Sequence, residues 1–180
     1  YGIAFQHNLG ANNTIIGSAS QAGNIEFTAD SLFFSPTTNA TIQGAGNLII
    51  KPHTNSTSIE FGVANTTSKL EIPGFAFNSQ IADGFSQITI GSTGGSGAIT
   101  TAANLAPRDN LSIISGSGAI QISNAINAGI NTLSLNTSSS ITESGAGSIT
   151  ADKLLVLGAS GVSTLQSVNN SVNVLAANTG

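Results

Sequence analysis

A short apolar triplet returns along this chain at nearly fixed intervals. Leu48-Ile49-Ile50, Leu70-Glu71-Ile72, Ile88-Thr89-Ile90, Leu111-Ser112-Ile113, Leu133-Ser134-Leu135 and Leu155-Val156-Leu157 end at positions 22, 18, 23, 22 and 22 apart. Leu32-Phe33-Phe34 fits upstream at a shorter interval of 16, and Val174-Leu175 fits downstream, 18 past Leu157. A period of this size marks a repeat architecture, in which one unit cannot bury its apolar face alone and must stack on its neighbours.

The triplets are strands. In Leu111-Ser112-Ile113 and Leu133-Ser134-Leu135 the outer residues point one way and the serine the other. A helix needs apolar residues three and four apart over about a dozen positions, and no window has them. Charged residues are only 7% of the chain, against roughly a quarter in an ordinary domain. Its outer faces are therefore clad in Ser, Thr, Asn and Gly, which favour turns over helices. Disorder is the alternative for such a composition, but 39% hydrophobic residues in regular triplets supply enough apolar surface to fold.

Within each unit, a Gly-small-Gly turn leads to a second strand. Gly95-Ser96-Gly97 precedes Ala98-Ile99, and Gly116-Ser117-Gly118 precedes Ala119-Ile120-Gln121-Ile122. Ser139-Ser140-Ile141 and Ser160-Gly161-Val162 hold the same place later, and Ala125-Ile126, Ser148-Ile149 and Gln166-Ser167-Val168 suggest a third element. Three short strands and tight turns make one coil of about 22 residues. Leu111, Leu133 and Leu155 are expected to stack as an interior ladder, with Ile113, Leu135 and Leu157 beside it. The chain reads as one domain over residues 1–180, with about seven coils over 31–180 and a cap or arm over 1–30. Residues 51–87 are looser and hold Phe61, Phe75, Phe77 and Phe85, expected to cover an open flank or fill a wider section.

Gly84-Phe85-Ser86-Gln87-Ile88-Thr89-Ile90-Gly91 with Gly94-Gly95-Ser96-Gly97-Ala98-Ile99 resembles a recurring stretch of giant bacterial surface proteins. So does Ser140-Ile141-Thr142-Glu143 with Gly147-Ser148-Ile149-Thr150-Ala151-Asp152-Lys153-Leu154. These are the filamentous-haemagglutinin-like exoproteins and related β-strand-repeat adhesins. The resemblance covers roughly residues 40–180. It implies a right-handed parallel β-helix, secretion across the outer membrane, and a role as a cell-surface or extracellular fibre; the expectation drawn from the whole reading is a structural and adhesive module without enzymatic activity. The Asn-rich motifs of that family's secretion domain are not found, so the resemblance assigns the chain to the shaft.

No constellation for chemistry rides on the repeat. The net charge is −4 without a basic patch, which disfavours nucleic acid or an anionic membrane as partner. No run of about 18 apolar residues occurs, so no membrane span is expected. The chain opens on Tyr1 without a signal peptide, which reads as a processed protein or an excised piece. There is no cysteine, so there are no disulfides and no thiolate chemistry. A carbohydrate-active β-helix needs two carboxyls within about 5–10 Å; the candidate is Glu60 with Asp83, and the plainer reading is two solvated acids in turns. Arg108 is expected to pair with Asp109 or with solvent. His7 and His53 lie too far apart for a zinc site, and the Gly-Gly-x-Gly-x-Asp calcium repeat is absent. Gly94-Gly95-Ser96-Gly97 lacks the Lys-Ser/Thr of a phosphate loop and reads as a corner. No catalytic, metal or cofactor residue is therefore assigned.

Asn-x-Ser/Thr sites stand at Asn12, Asn39, Asn55, Asn65, Asn110, Asn136 and Asn169. The resemblance leaves surface glycans there open. Expected partners are further coils of the same chain, other copies stacked head to tail, and surface glycans or receptors on other cells. A glycan-binding surface-layer or matrix component is a further alternative.

Overall fold

The structure, a computed structural model, describes residues 2–5, 14–34, 41–62, 68–158 and 162–178. The chain is an all-β parallel solenoid of about 7 turns. The first described turn holds β1 (Gly2–Phe5) and β2 (Ile15–Gly17). The second holds β3 (Ile25–Thr28), β4 (Ser31–Phe34) and β5 (Thr41–Gln43). The third holds β6 (Asn47–Lys51), β7 (Ile59–Phe61), β8 (Leu70–Glu71) and one short helix, α1 (Gly74–Ser79). Regular coils follow with β9 (Gln87–Ser92), β10 (Ile99–Thr101), β11 (Leu111–Ser115) and β12 (Ile120–Ile122). The last coils comprise β13 (Ala125–Thr137), β14 (Ile141–Glu143), β15 (Ser148–Leu157), β16 (Ser163–Thr164) and β17 (Ser171–Asn178).

Among the described residues every strand pairing is parallel. One face is a seven-stranded sheet in the order β17-β15-β13-β11-β9-β6-β3, and a second is a six-stranded sheet, β16-β14-β12-β10-β7-β8. A third, narrower face runs through Leu105, Ile126 and Ile149. The alternation of the triplets sets which side chains turn inward. Leu48, Ile88, Leu111, Leu133 and Leu154 stand in register as one interior ladder, with Ile50, Ile90, Ile113, Leu135 and Val156 as another; all are buried. Ile59, Ile99, Ile120 and Ile141 form the ladder of the second face.

Four details differ from the sequence reading. The interior residues of the fifteenth strand are Leu154 and Val156, not Leu155 and Leu157, because Leu133 pairs with Leu154. The cause is an irregularity around Gly129 in β13, where Ile130 is pushed out to 90% exposure. Those extra residues make the Leu133-to-Leu154 step 21 rather than 22. Second, Leu70-Glu71-Ile72 is no rung of the first ladder. β6 pairs directly with β9, and β8 sits on the second face beside β7 and packs against β4. Third, Leu32-Phe33-Phe34 pairs with β1, and the rung below Leu48 and Ile50 is Ile25 and Phe27 of β3. Fourth, Val162 and Val168 point to solvent at 74% and 96% exposure. Ser163 takes the place opposite Ile141, and Ser171 lies opposite Thr150.

The excursion from Gly62 to Ser86 explains the aromatic cluster. Its helix, unforeseen in the sequence, is six residues long and carries Phe77 inward. Phe77 meets Phe61 with ring centroids 6.0 Å apart, and Phe34 and Phe85 are buried in the same core. Ile81 then bridges back to Ile42 before the chain rejoins the ladder at β9. The phenylalanines therefore fill a wider cross-section. Residues 1–30, expected as a cap or arm, contribute β1, β2 and β3 to the stack where they are described.

Candidate functional site

The Gly-small-Gly corners are tied together by buried hydroxyls. Ser115 and Thr137 occupy the same register position on consecutive coils and are 2% and 1% exposed. The Gly118 N–H donates to Ser115 Oγ (3.0 Å), which donates to the Gly97 carbonyl one coil away (3.0 Å). The Ser139 N–H donates to Thr137 Oγ1 (3.0 Å), which donates to the Gly118 carbonyl (2.6 Å). The same relay is repeated one coil on, satisfying backbone groups that the tight corner leaves unpaired. The sequence carried a signal, hydroxyl residues 22 apart just before each corner, but a composition rich in Ser and Thr hides it. Gly94-Gly95-Ser96-Gly97 belongs to this row of corners: Gly95 N–H donates to Ser92 O (3.0 Å), and Ser96 N–H to Asn55 O (2.7 Å). The hollow beside it, lined by Asn55, Thr57, Ile59 and Gly91, has about 10 Å³, space for one water and none for a sugar.

The structure does not bring Glu60 and Asp83 together as a pair. Glu60 is ion-paired to Lys69 on one side of the second face. Its register neighbour is Glu71, which is 2% exposed. The Lys69 ammonium has its pKa raised first by its hydrogen bond to Glu60, then by the Glu60 charge, with the Glu71 charge adding a little. Adjacent strands put carboxyls at about the 4.8 Å strand spacing, a separation of the size retaining glycosidases use. With Glu71 buried and Glu60 paired to Lys69, the arrangement is an ion-pair staple at the start of β8. An eleven-residue spacing, outside the repeat period, concealed it.

Asp83 lies instead against Asp109. Asp109 is 7% exposed, and its Oδ1 accepts the Gly84 N–H at 3.0 Å. Arg108 does not pair with it; the guanidinium donates to the Asn78 carbonyl on the excursion. Burial pushes the Asp109 carboxyl above the ordinary value; the Gly84 and Phe85 N–H groups oppose this, while the Asp83 charge adds to it. A raised carboxyl pKa means the folded state holds the proton more tightly than the unfolded chain. Stability from this group is therefore full below its unfolded pKa and falls as pH rises through the folded value. Asp109→Asn, which keeps the shape and removes the charge, is expected to raise the melting temperature at pH 7 and leave it unchanged near pH 3. Thermal unfolding of both proteins across pH checks this; equal gains at both pH values would contradict it.

Asp30 has the opposite sense. The Thr54 N–H (2.7 Å) lowers its pKa first, then the hydroxyls of Thr54 (2.8 Å) and Thr57 (3.1 Å), with the charge of the exposed His53 adding. Its contribution is present above its unfolded pKa and lost as pH falls through the folded one. His53 thus faces Asp30, while His7 lies outside the described residues.

Among the sequons, Asn55 and Asn169 are exposed on turns closed by Thr57 N–H to Thr54 O (2.9 Å) and Asn170 N–H to Ser167 O (3.1 Å). Asn110 uses both ends of its amide, donating to Ser86 O (3.2 Å) and accepting from Thr132 N–H (2.9 Å). Asn136 is half-buried on β13, and Asn12, Asn39 and Asn65 lie outside the described residues. Among the described residues no three His, Cys, Asp or Glu side chains group to hold a metal, and no helix is long and apolar enough to cross a membrane.

One more surface stands out. Leu154, Leu165, Asn170, Val172 and Leu175 line a groove of about 300 Å³ at the β17 end of the stack. Val174 and Leu175 are 52% and 64% exposed there. Comparison with protein-family models, with curated proteins and with solved structures finds no match for the chain.

Proposed function

We propose that this chain is a structural and adhesive module of a secreted or cell-surface bacterial fibre, a length of shaft rather than an enzyme. The observation that carries the reading is the continuous in-register stack, whose interior ladders run through every coil from β6 to β15. A core of this kind lengthens by adding coils, at about 4.8 Å each, without any change in the existing ones. Its surface of uncharged polar residues and its resemblance to the filamentous-haemagglutinin-like exoproteins support an extracellular setting. Several of its carboxylates hold structure: Glu60 pairs with Lys69, Glu26 with Lys51, Asp30 accepts from the Thr54 turn and Asp109 from the Gly84 joint.

Antibodies raised against the chain, applied to intact and to lysed cells that produce it, test the reading. Labelling of intact cells or of shed fibres is the expected result. Labelling confined to lysed cells would contradict it. A glycan panel separates the enzymatic alternative: release of reducing or unsaturated sugar by the purified chain would replace the shaft reading with a carbohydrate-active one.

A further inference from the structure

Where the excursion rejoins the middle of the stack, two carboxyls meet. Asp83 follows Ile81, which bridges to Ile42, and Asp109 stands two residues before Leu111, the rung paired with Ile88. Asp83 is exposed, while Asp109 is only 7% exposed. One oxygen of Asp109 is satisfied: Oδ1 accepts the Gly84 N–H at 3.0 Å. Its Oδ2 is sealed from solvent and receives no hydrogen bond, and the Asp83 carboxyl lies against the group. Neither acid is among the described ion pairs, which join Lys51 to Glu26 and Lys69 to Glu60. Arg108, next to Asp109 in the chain, sends its guanidinium to the Asn78 carbonyl instead. Carboxylates in contact repel each other, and a buried acceptor without a donor is costly.

We propose that Asp83 and Asp109 bind one calcium ion, which fastens the end of the excursion to the coil beyond it. The buried, unsatisfied Asp109 Oδ2 carries this, because the Gly84 joint holds it in place and no protein group completes it. A cation there satisfies that oxygen and removes the repulsion together. The donors select the ion. Both are hard anionic oxygens, and among the described residues no third His, Cys, Asp or Glu joins them, so metals that seek nitrogen or sulfur gain nothing. Calcium accepts oxygen ligands in loose geometry, whereas magnesium demands a near-ideal octahedron and gives up water reluctantly. The exposed side of Asp83 leaves room for the waters that fill the shell. Two carboxylates place the site in the weak range of extracellular modules, about 10⁻⁴–10⁻³ M. Burial, and after it the Asp83 charge, raise the Asp109 pKa, so acid competes with the ion.

The full chain, stripped of divalent ions, is dialysed against radioactive calcium at constant ionic strength, and its melting temperature is read in calcium and in magnesium. The expected result is one calcium per chain. For that affinity, about 10 mM calcium raises the melting temperature by roughly 3–10 °C, and magnesium raises it less. Asp83→Asn and Asp109→Asn lose both the bound ion and the rise. Without calcium each should melt at or above the unsubstituted chain, since a like charge has gone, and this separates loss of the site from loss of the fold. Asp152→Asn, at the carboxylate that accepts from Asn173, keeps the ion and the rise. No saturable binding below about 10 mM, a calcium response that survives in Asp109→Asn, or an equal response to magnesium would overturn the site. Stabilisation by acid with no response to calcium would also overturn it, and would put a shared proton between the two carboxyls. The site does not rest on the shaft reading, and the cell-labelling experiment stands or falls separately from it.

Discussion

Leu133→Asp is expected to abolish cooperative folding of the middle coils. Leu133 is fully buried and sits in register between Leu111 and Leu154. Truncating such a leucine costs roughly 2–5 kcal/mol from lost contacts and the cavity left behind. A carboxylate there adds the burial of an unpaired charge, several kcal/mol more after relaxation. The sum rivals the whole stability of an ordinary domain, about 5–15 kcal/mol. Circular dichroism and denaturant melts read the result. Leu133→Ala should remain folded with a lowered midpoint, and Leu155→Asp one register step away should be much milder, since Leu155 is only half-buried.

The second large effect is steric and falls at a corner. A Cβ on Gly118 would lie 2.1 Å from the Gly97 carbonyl oxygen and 2.5 Å from its carbon. Those atoms are backbone, held by the Ser115 hydroxyl, so neither can swing away. Gly118→Ala must spread two coils or break the Ser115 and Thr137 relay, and is expected to cost about 3 kcal/mol, the upper range for overpacking plus strained hydrogen bonds. Gly129→Ala is the comparison. Gly129 has φ of 57° with nothing within 4 Å of the added Cβ, so its cost is conformational alone, roughly 1–2 kcal/mol. A Gly118→Ala protein as stable as Gly129→Ala would show that the corners do not approach as closely as described.

The parts of this fold that the sequence reveals are those repeated with the period. Leu111 over Leu133 and Ile120 over Ile141 follow from spacing alone, because one coil dictates the next. Where a coil gains residues, spacing misleads. The residues around Gly129 bulge outward and shift the next rung from Leu155 to Leu154. Pattern cannot tell Leu154-Leu155-Val156-Leu157 from its one-step slip, since all four are apolar. The 62–86 excursion is harder still: Leu70-Glu71-Ile72 has the form of a rung, but Phe77 against Phe61 and the Lys69 staple draw it to another face. Of the surface features, the Gly95-Ser96-Gly97 corner is legible in the sequence. The hydroxyl relay and the Asp83–Asp109 contact are not, because each depends on how neighbouring coils are set side by side.

Disulfide trapping tests the in-register stack most directly, on the two strands where register and spacing disagree. Ser134 and Leu155 are Cα partners on β13 and β15, both on the outward side. Neighbouring strands lie about 4.8 Å apart, within the Cα separation a disulfide spans. Ser134→Cys with Leu155→Cys should therefore close readily on mild oxidation. Ser112→Cys with Leu155→Cys, two strands apart on the same row, should stay open at about twice that spacing. Closure of the second pair, or failure of the first in a folded protein, would contradict the stacking of coil on coil from which the shaft reading is built.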